Sequence, residues 1–167
     1  GVIGSVGVSP EHVQYLQRHI GLGEARRSDG SCTLAFQACA VIADDDEQAA
    51  SEARTFVARK MRTPVPLEGS KFKEGDFEAM QKSYRYQEHL SYDASHAPEV
   101  PADVVRRFAL VGTPATVRQQ LLELQSLGIQ KVVVMSVGKD TRKLVESFAT
   151  EIIPSLVATT GQGAEED

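Results

Sequence analysis

The chain has 167 residues, 41% hydrophobic and 25% charged, with a net charge of −5 at pH 7 and a pI of about 5.4. That is enough chain for one domain with a buried core. The acidic balance argues against nucleic acid as a partner, and no apolar run approaches the ~20 residues of a bilayer span. Two cysteines without a secretory signal pattern make no disulfide framework, so the expected setting is cytoplasmic, away from membranes.

Position 1 is a glycine that opens inside a strand-like run, Val2-Ile3, so a segment upstream is expected. Gly4-Ser5-Val6-Gly7 follows as a loop, and Ser9-Pro10 opens a helix with a capping residue and a proline at the first helical position. Val13, Leu16 and Ile20 form its apolar stripe to Gly21, with continuation to Arg27. Ser28-Asp29-Gly30 is turn chemistry, and Cys32 to Ile42 reads as the second strand. Asp44-Asp45-Asp46 caps a helix from Glu47 to Met61 with Ala50, Ala53, Phe56 and Val57 inward; Thr63-Pro64-Val65-Pro66 ends it.

Leu67 to Pro101 is the least regular third, with helical spacing over 77–90 and a loop over 91–101. An excursion this long between core modules is often functional. After a helix over 103–108 comes the stretch around which the chain is organised, FALVGTPATVRQQLLELQSLGIQKVVVMS. Thr113-Pro114 opens its helix, Val117, Leu121, Leu124 and Leu127 mark one face, and Gly128 suits the left-handed C′ position. Val132 to Met135 is a continuous apolar run of the kind buried in a parallel sheet. A last helix spans 141–153, ended by Pro154, and residues 157–167 form an expected disordered tail.

Three strands separated by helices indicate an α/β chain. A complete (β/α)8 barrel takes ~250 residues. Two architectures fit the length: the C-terminal part of a TIM-like barrel with about three βα units over 1–156, or a small open sheet.

VPADVVRRFALVGTPATVRQQLLELQSLGIQKVVVMSVGKD, with the later IIPSL, resembles the C-terminal region of the luciferase-like oxidoreductases: flavin-dependent monooxygenases and their deazaflavin (coenzyme F-420) relatives. GVIGSVGVSPEHVQYLQRHI resembles that family's sixth strand and helix, and AVIADDDEQAASEARTFVARKM its seventh. The resemblance covers residues 1–156. It implies a TIM-like barrel that binds FMN or coenzyme F-420 and moves hydride or activates oxygen, with the site at the C-terminal ends of the strands. It also implies that the first five strands, which carry much of the cofactor site, lie outside this sequence.

Two rim loops remain as candidates. Gly4, Ser5, Val6 and Gly7 follow the sixth strand, where glycines let backbone amides approach phosphate and Ser5 can donate a hydrogen bond; the plain alternative is a tight βα turn. Ser136, Val137, Gly138 and Lys139 follow the last strand, where Lys139 could meet an anionic substrate or cofactor tail, or be a solvated lysine. The three aspartates suit a helix N-terminus better than a metal, which wants more converging oxygen ligands. His12 and His19 lie roughly 10.5 Å apart along one helix, too far to share a metal, and read as surface residues. His89 and His96, with Tyr84, Arg85 and Tyr86, make a lid over substrate, a basic-aromatic binding patch or, as such mixes more often do, a solvated helix face. Cys32 and Cys39 point to opposite faces of a strand and read as buried free thiols.

The expected function is hydride transfer between a flavin or deazaflavin and a small organic molecule, with catalytic residues unassigned and no metal. The alternative is a non-catalytic half-barrel that binds a phosphate-bearing ligand, or closes its open edge as a homo-oligomer or against a missing N-terminal half.

Overall fold

The computed structural model describes residues 1–26, 32–61, 78, 82–88, 91, 94–95, 97 and 100–161. The elements run in order as β1 (Val2–Gly4), α1 (Pro10–Glu24), β2 (Leu34–Ile42), α2 (Asp46–Met61), α3 (Ala102–Phe108), β3 (Ala109–Gly112), α4 (Pro114–Ser126), β4 (Val132–Ser136), α5 (Thr141–Ser147), a π-helical turn (Phe148–Ile152) and α6 (Ile153–Gly161). The turn at 28–30, the Pro-rich stop at 63–66 and most of the excursion over 67–101 lie outside the described residues; within it Tyr86–Glu88 forms one 3-10 turn.

The helix boundaries follow the chemistry that starts and stops them. Thr113 caps α4 by accepting from the Thr116 amide at 3.3 Å, and Pro114 sits where a missing N–H is harmless. Gly128 takes φ +85°, and Val117, Leu121 and Leu124 are buried as the spacing required. Ser9 holds the N-cap position of α1, but its hydroxyl makes no capping bond; it meets the His12 ring instead. The helix after residue 141 does not stop at Pro154. The π turn breaks the hydrogen-bonding register just before it, and Pro154 then falls in the first turn of α6, where a proline is tolerated. Residues 157–161 are therefore helical, and 162–167 lie outside the description.

The unforeseen element is β3. Four strands form one parallel sheet, in three columns. Phe36 of β2 pairs with both Gly4 and Val132, and Cys39 pairs with both Ala109 and Met135. Hence β1 and β3 lie end to end along one edge of β2, and β4 lies along the other.

This order dictates the layers. The β1-to-β2 and β3-to-β4 connections step across the sheet one way, and the β2-to-β3 connection steps back. Crossovers of one hand that step in opposite directions place their helices on opposite faces. Accordingly Phe36, Ala38, Ala40 and Ile42 pack under Val13 of α1, Val117, Leu121 and Leu124 of α4, and Leu144 of α5. Cys39, Val41 and Ala43, on the other face, pack under Ala49, Ala53, Phe56 and Val57 of α2 and Val104, Val105 and Phe108 of α3.

The second face is closed only over half its length. Register puts Ile3, Gln37, Val133 and Met135 on it, beyond the reach of α2. Ile3 is 67% exposed and Val133 44%.

Candidate functional site

Parallel strands in an α/β sheet carry their ligand sites at the C-terminal ends. Gly4–Gly7 follows β1 and Ser136–Lys139 follows β4, on opposite sides of β2 and at different heights, since Gly4 is level with Phe36, before β3 begins, and Ser136 is level with Ala40. Among the described residues no hydrogen bond or ion pair joins them. What links them is α2, which touches each.

At the first loop, the Lys60 ammonium donates to Ser5 Oγ at 3.0 Å. Packing demands a glycine at position 7 and crowds position 4. A Cβ at Gly4 would fall 2.5 Å from Leu16 Cδ1, and one at Gly7 2.6 Å from the His12 ring and 2.7 Å from the Arg107 carbonyl oxygen. The loop is pinned there, because the Val8 and Ser9 amides both donate to that carbonyl, at 2.7 and 3.1 Å. The amides of Val6 and Gly7 meet no acceptor among the described residues.

At the second loop, Ser136 Oγ lies 2.9 Å from Thr141 Oγ1, tying β4 to the start of α5. The Val137 amide donates to the Ala40 carbonyl at 3.2 Å, extending the ladder by one residue. Gly138 is buried: a Cβ there would fall 2.8 Å from Val41 Cγ1. Lys139 meets Glu52 through its backbone amide, at 3.2 Å from Oε2. A carboxylate thus stands at this loop, and an ammonium at the other. Glu52 and Lys60 are eight residues apart on α2, about 12 Å at 1.5 Å per residue.

The three aspartates all work inside the protein. Asp45 Oδ1 accepts the Gln48 amide at 2.7 Å, capping α2, and Asp44 pairs with Lys143 at 2.6 Å. Asp46 accepts the Thr113 amide at 2.9 Å and the Thr116 hydroxyl at 3.1 Å, locking the start of α2 to the start of α4. Close by, Gly112 has φ +143°, and a Cβ on it would lie 2.5 Å from Asp46 Oδ1.

His12 is not the surface residue the sequence suggested. It is 1% exposed, its Nδ1 lies 2.8 Å from Ser9 Oγ, and its ring meets Phe108 edge-on at 4.8 Å between centroids. The neighbouring pair Arg107–Glu11, at 2.9 Å, anchors α3 to α1. Burial, aided by the Arg107 charge, lowers the His12 pKa to about 4, so the ring is neutral at physiological pH. His19 is exposed as expected, and its Nδ1 contacts the Tyr15 carbonyl at 2.8 Å. Cys39 is a buried free thiol, pushed up to about 11 by burial against the opposing pull of Lys60 and Arg59. Cys32 precedes β2 and is half-buried.

Of two open clefts, one begins at Val8 and Ser9, directly after the first loop, and the other lies away from both loops. The first, of about 690 Å3, runs between α1, α3 and α4 past Glu11, Arg107 and Gln120. The other, about 710 Å3, lies at the N-terminal end of the sheet beside Cys32 and Lys131. No helix among the described residues is long and apolar enough to cross a membrane.

Of the residues that shape the rim, Lys60 and Glu52 were not singled out from the sequence, and Asp46 was read only as part of a helix cap. Lys60 and its neighbour Arg59 sit in the last turn of a helix, where basic residues are ordinary complements of the dipole. Only the fold brings Lys60 to Ser5, 55 positions away.

The fold matches solved structures. One is the coenzyme F420 dependent tetrahydromethanopterin reductase from Methanopyrus kandleri, with a TM-score of 0.62 and 22% identity over 93% of this chain. The match spans 45% of that chain, so the present fold corresponds to part of a TIM-like barrel. No match was found among curated proteins. The family model for luciferase-like monooxygenase matches residues 5–131, from the first rim loop to the start of β4. The chain belongs to the luciferase-like monooxygenase family.

Proposed function

We propose that the chain supplies the C-terminal rim of a flavin- or deazaflavin-dependent oxidoreductase acting on a small organic molecule. The observation that carries this reading is the family match over residues 5–131, which takes in Ser5, Val6 and Gly7 of the first loop. Bound at the rim, FMN or coenzyme F-420 supplies the hydride donor or acceptor, and the protein supplies position and electrostatics.

The residues present fit one end of such a cofactor. The loop offers the Ser5 hydroxyl, the Val6 and Gly7 amides and the Lys60 ammonium, all donors and all suited to an anionic group. These donors hold and orient a ligand; none of them is a general acid or base for the chemistry.

The test is fluorescence titration of the chain with FMN and with coenzyme F-420. Saturable quenching of one of them at micromolar concentration is expected. Failure of both to bind sinks the reading.

A second reading has its own observation. Ile3, Val133 and Met135 leave an apolar strip on one face of the sheet, beside the outer edge of β4, which no described strand pairs. Strand edges of this kind are normally covered. Closure by a second copy or by a further half of a barrel would cover it, with or without catalysis. Sedimentation velocity distinguishes a self-associating chain from a monomer.

A further inference from the structure

We propose that the outer face of the C-terminal helix docks against the same face of a second copy of this chain, the two helices running in opposite directions. This surface is distinct from the strip at Met135, and its role does not depend on which ligand the rim takes.

A helix that has already buried one apolar line carries a second. Leu144, Phe148, Ile152 and Leu156, four residues apart, pack into the closed face of the sheet. Val145, Ala149, Ile153 and Val157 repeat that spacing one residue later, about 100° further round at 3.6 residues per turn. Val145 is 57% exposed, Ile153 52% and Val157 64%, and Ala149 is exposed as well. An ordinary surface helix is polar away from its one buried stripe.

The π turn keeps the second line straight. In an α-helix a step of four residues overshoots one turn by about 40°, so three steps would drift by about 120° and carry Val157 out of line with Val145. Phe148–Ile152 closes i→i+5 and holds more residues per turn, so the middle step offsets part of that drift. The hydroxyls of Thr150 and Ser155 donate to the Glu146 and Ile152 carbonyls at 2.8 Å each, satisfying acceptors around the register change.

Charge selects the occupant. The chain carries a net charge of −5, so two copies repel unless they meet on a surface with little charge. From Leu144 to Gly161 only Glu146 and Glu151 are charged. Glu146 is paired with Arg142 at 2.7 Å. Glu151, midway between Ala149 and Ile153, lies about half a turn from the line. The same residues include no lysine or arginine, which argues against an anionic lipid surface. The line is also complementary to itself. A two-fold axis level with Glu151 sets Val145 opposite Val157 and the small Ala149 opposite the large Ile153, in both directions. Four side chains from each copy make a small contact, in the range of weak, reversible association.

The experiment is sedimentation velocity of the full chain over a range of concentrations. A monomer at about 1 μM that becomes a dimer by about 300 μM is expected. Val145→Glu and Val157→Lys should each weaken association at least about tenfold. The double variant should recover it to within about threefold, because each introduced carboxylate then faces an ammonium introduced on the partner. Met135→Lys should leave the dimer unchanged. Circular dichroism checks that each variant folds; if a charged variant does not, Ile153→Ser, expected to weaken association severalfold, takes its place.

A monomer at every concentration overturns the proposal and leaves the line to a different partner. A dimer that Met135→Lys dissociates and Val145→Glu does not overturns it in favour of the open strip. Single variants that dissociate, with no recovery in the double variant, overturn the antiparallel pairing. None of these results bears on the flavin reading, which the cofactor titration tests at a different surface.

Discussion

The two faces of the sheet are closed to different extents, and the difference separates what holds the protein together from what it presents. On one face every inward residue of β2 from Phe36 to Ile42 is covered by α1, α4 and α5. On the other, α2 and α3 cover Cys39, Val41 and Ala43 at the C-terminal half, while Ile3, Val133 and Met135 stay exposed. The cause is topological. Because β3 returns to the edge already used by β1, α2 is carried to the face that a barrel with all-forward crossovers leaves bare of helices. α2 then touches both rim loops, through Glu52 at one and Lys60 at the other.

The sharpest contrast should come from the cores. Phe36 is 0% exposed on the closed face, so Phe36→Ala should cost about 3–5 kcal/mol in urea denaturation, a large share of a domain's stability. A loss under about 1 kcal/mol would mean that this face is not the main core.

His12 lies under the closed face and makes the comparison pH-dependent. Its folded pKa of about 4 lies below the ordinary value of 6.5. The unfolded chain therefore binds the proton more readily, and stability falls as pH drops from about 6.5 towards 4. By pH 5 the loss should be about 2 kcal/mol relative to pH 7.5. A His12→Gln variant should lose this dependence; if it keeps the same slope, another group is responsible.

Asp46 joins the helices of the two faces, through its bonds to Thr113 and Thr116. Asp46→Ala should cost about 1–2 kcal/mol by leaving those donors without their acceptor. Asp45→Ala, which removes a single cap, should cost about 1 kcal/mol; equal effects would argue that the bridge to α4 adds nothing.

The smallest effect should come from the open strip. Met135 is 36% exposed, and Met135→Lys should change monomer stability by less than about 0.5 kcal/mol. If the strip is an interface between copies, the same change should instead shift the chain to monomer in sedimentation. A loss of 2 kcal/mol or more in a monomeric chain would show that the strip is core after all.

The readable parts of the sequence were those governed by local chemistry. The Thr113-Pro114 opening, the Gly128 stop and the stripe at Val117, Leu121 and Leu124 all depend on neighbours within a few residues, and the structure has each of them. The strand β3 was missed because Ala109–Gly112 is only four residues long and follows a helix without a loop. Without β3 the reversal of direction was invisible, and with it the placement of α2. Periodicity could not reveal the burial of His12 either, because it follows from packing against Phe108 and Gly7. At the rim, the family resemblance pointed to the Gly4–Gly7 loop, but its charged partner lies a strand and a helix away.

The most direct test of the account is to map ligand contact on the amides of an isotope-labelled chain by nuclear magnetic resonance during titration with FMN and, separately, with coenzyme F-420. The account predicts saturable shifts concentrated at Ser5, Val6, Gly7 and Lys60. Shifts confined to the cleft beside Glu11 and Gln120, or none at saturating concentrations of both cofactors, would contradict it.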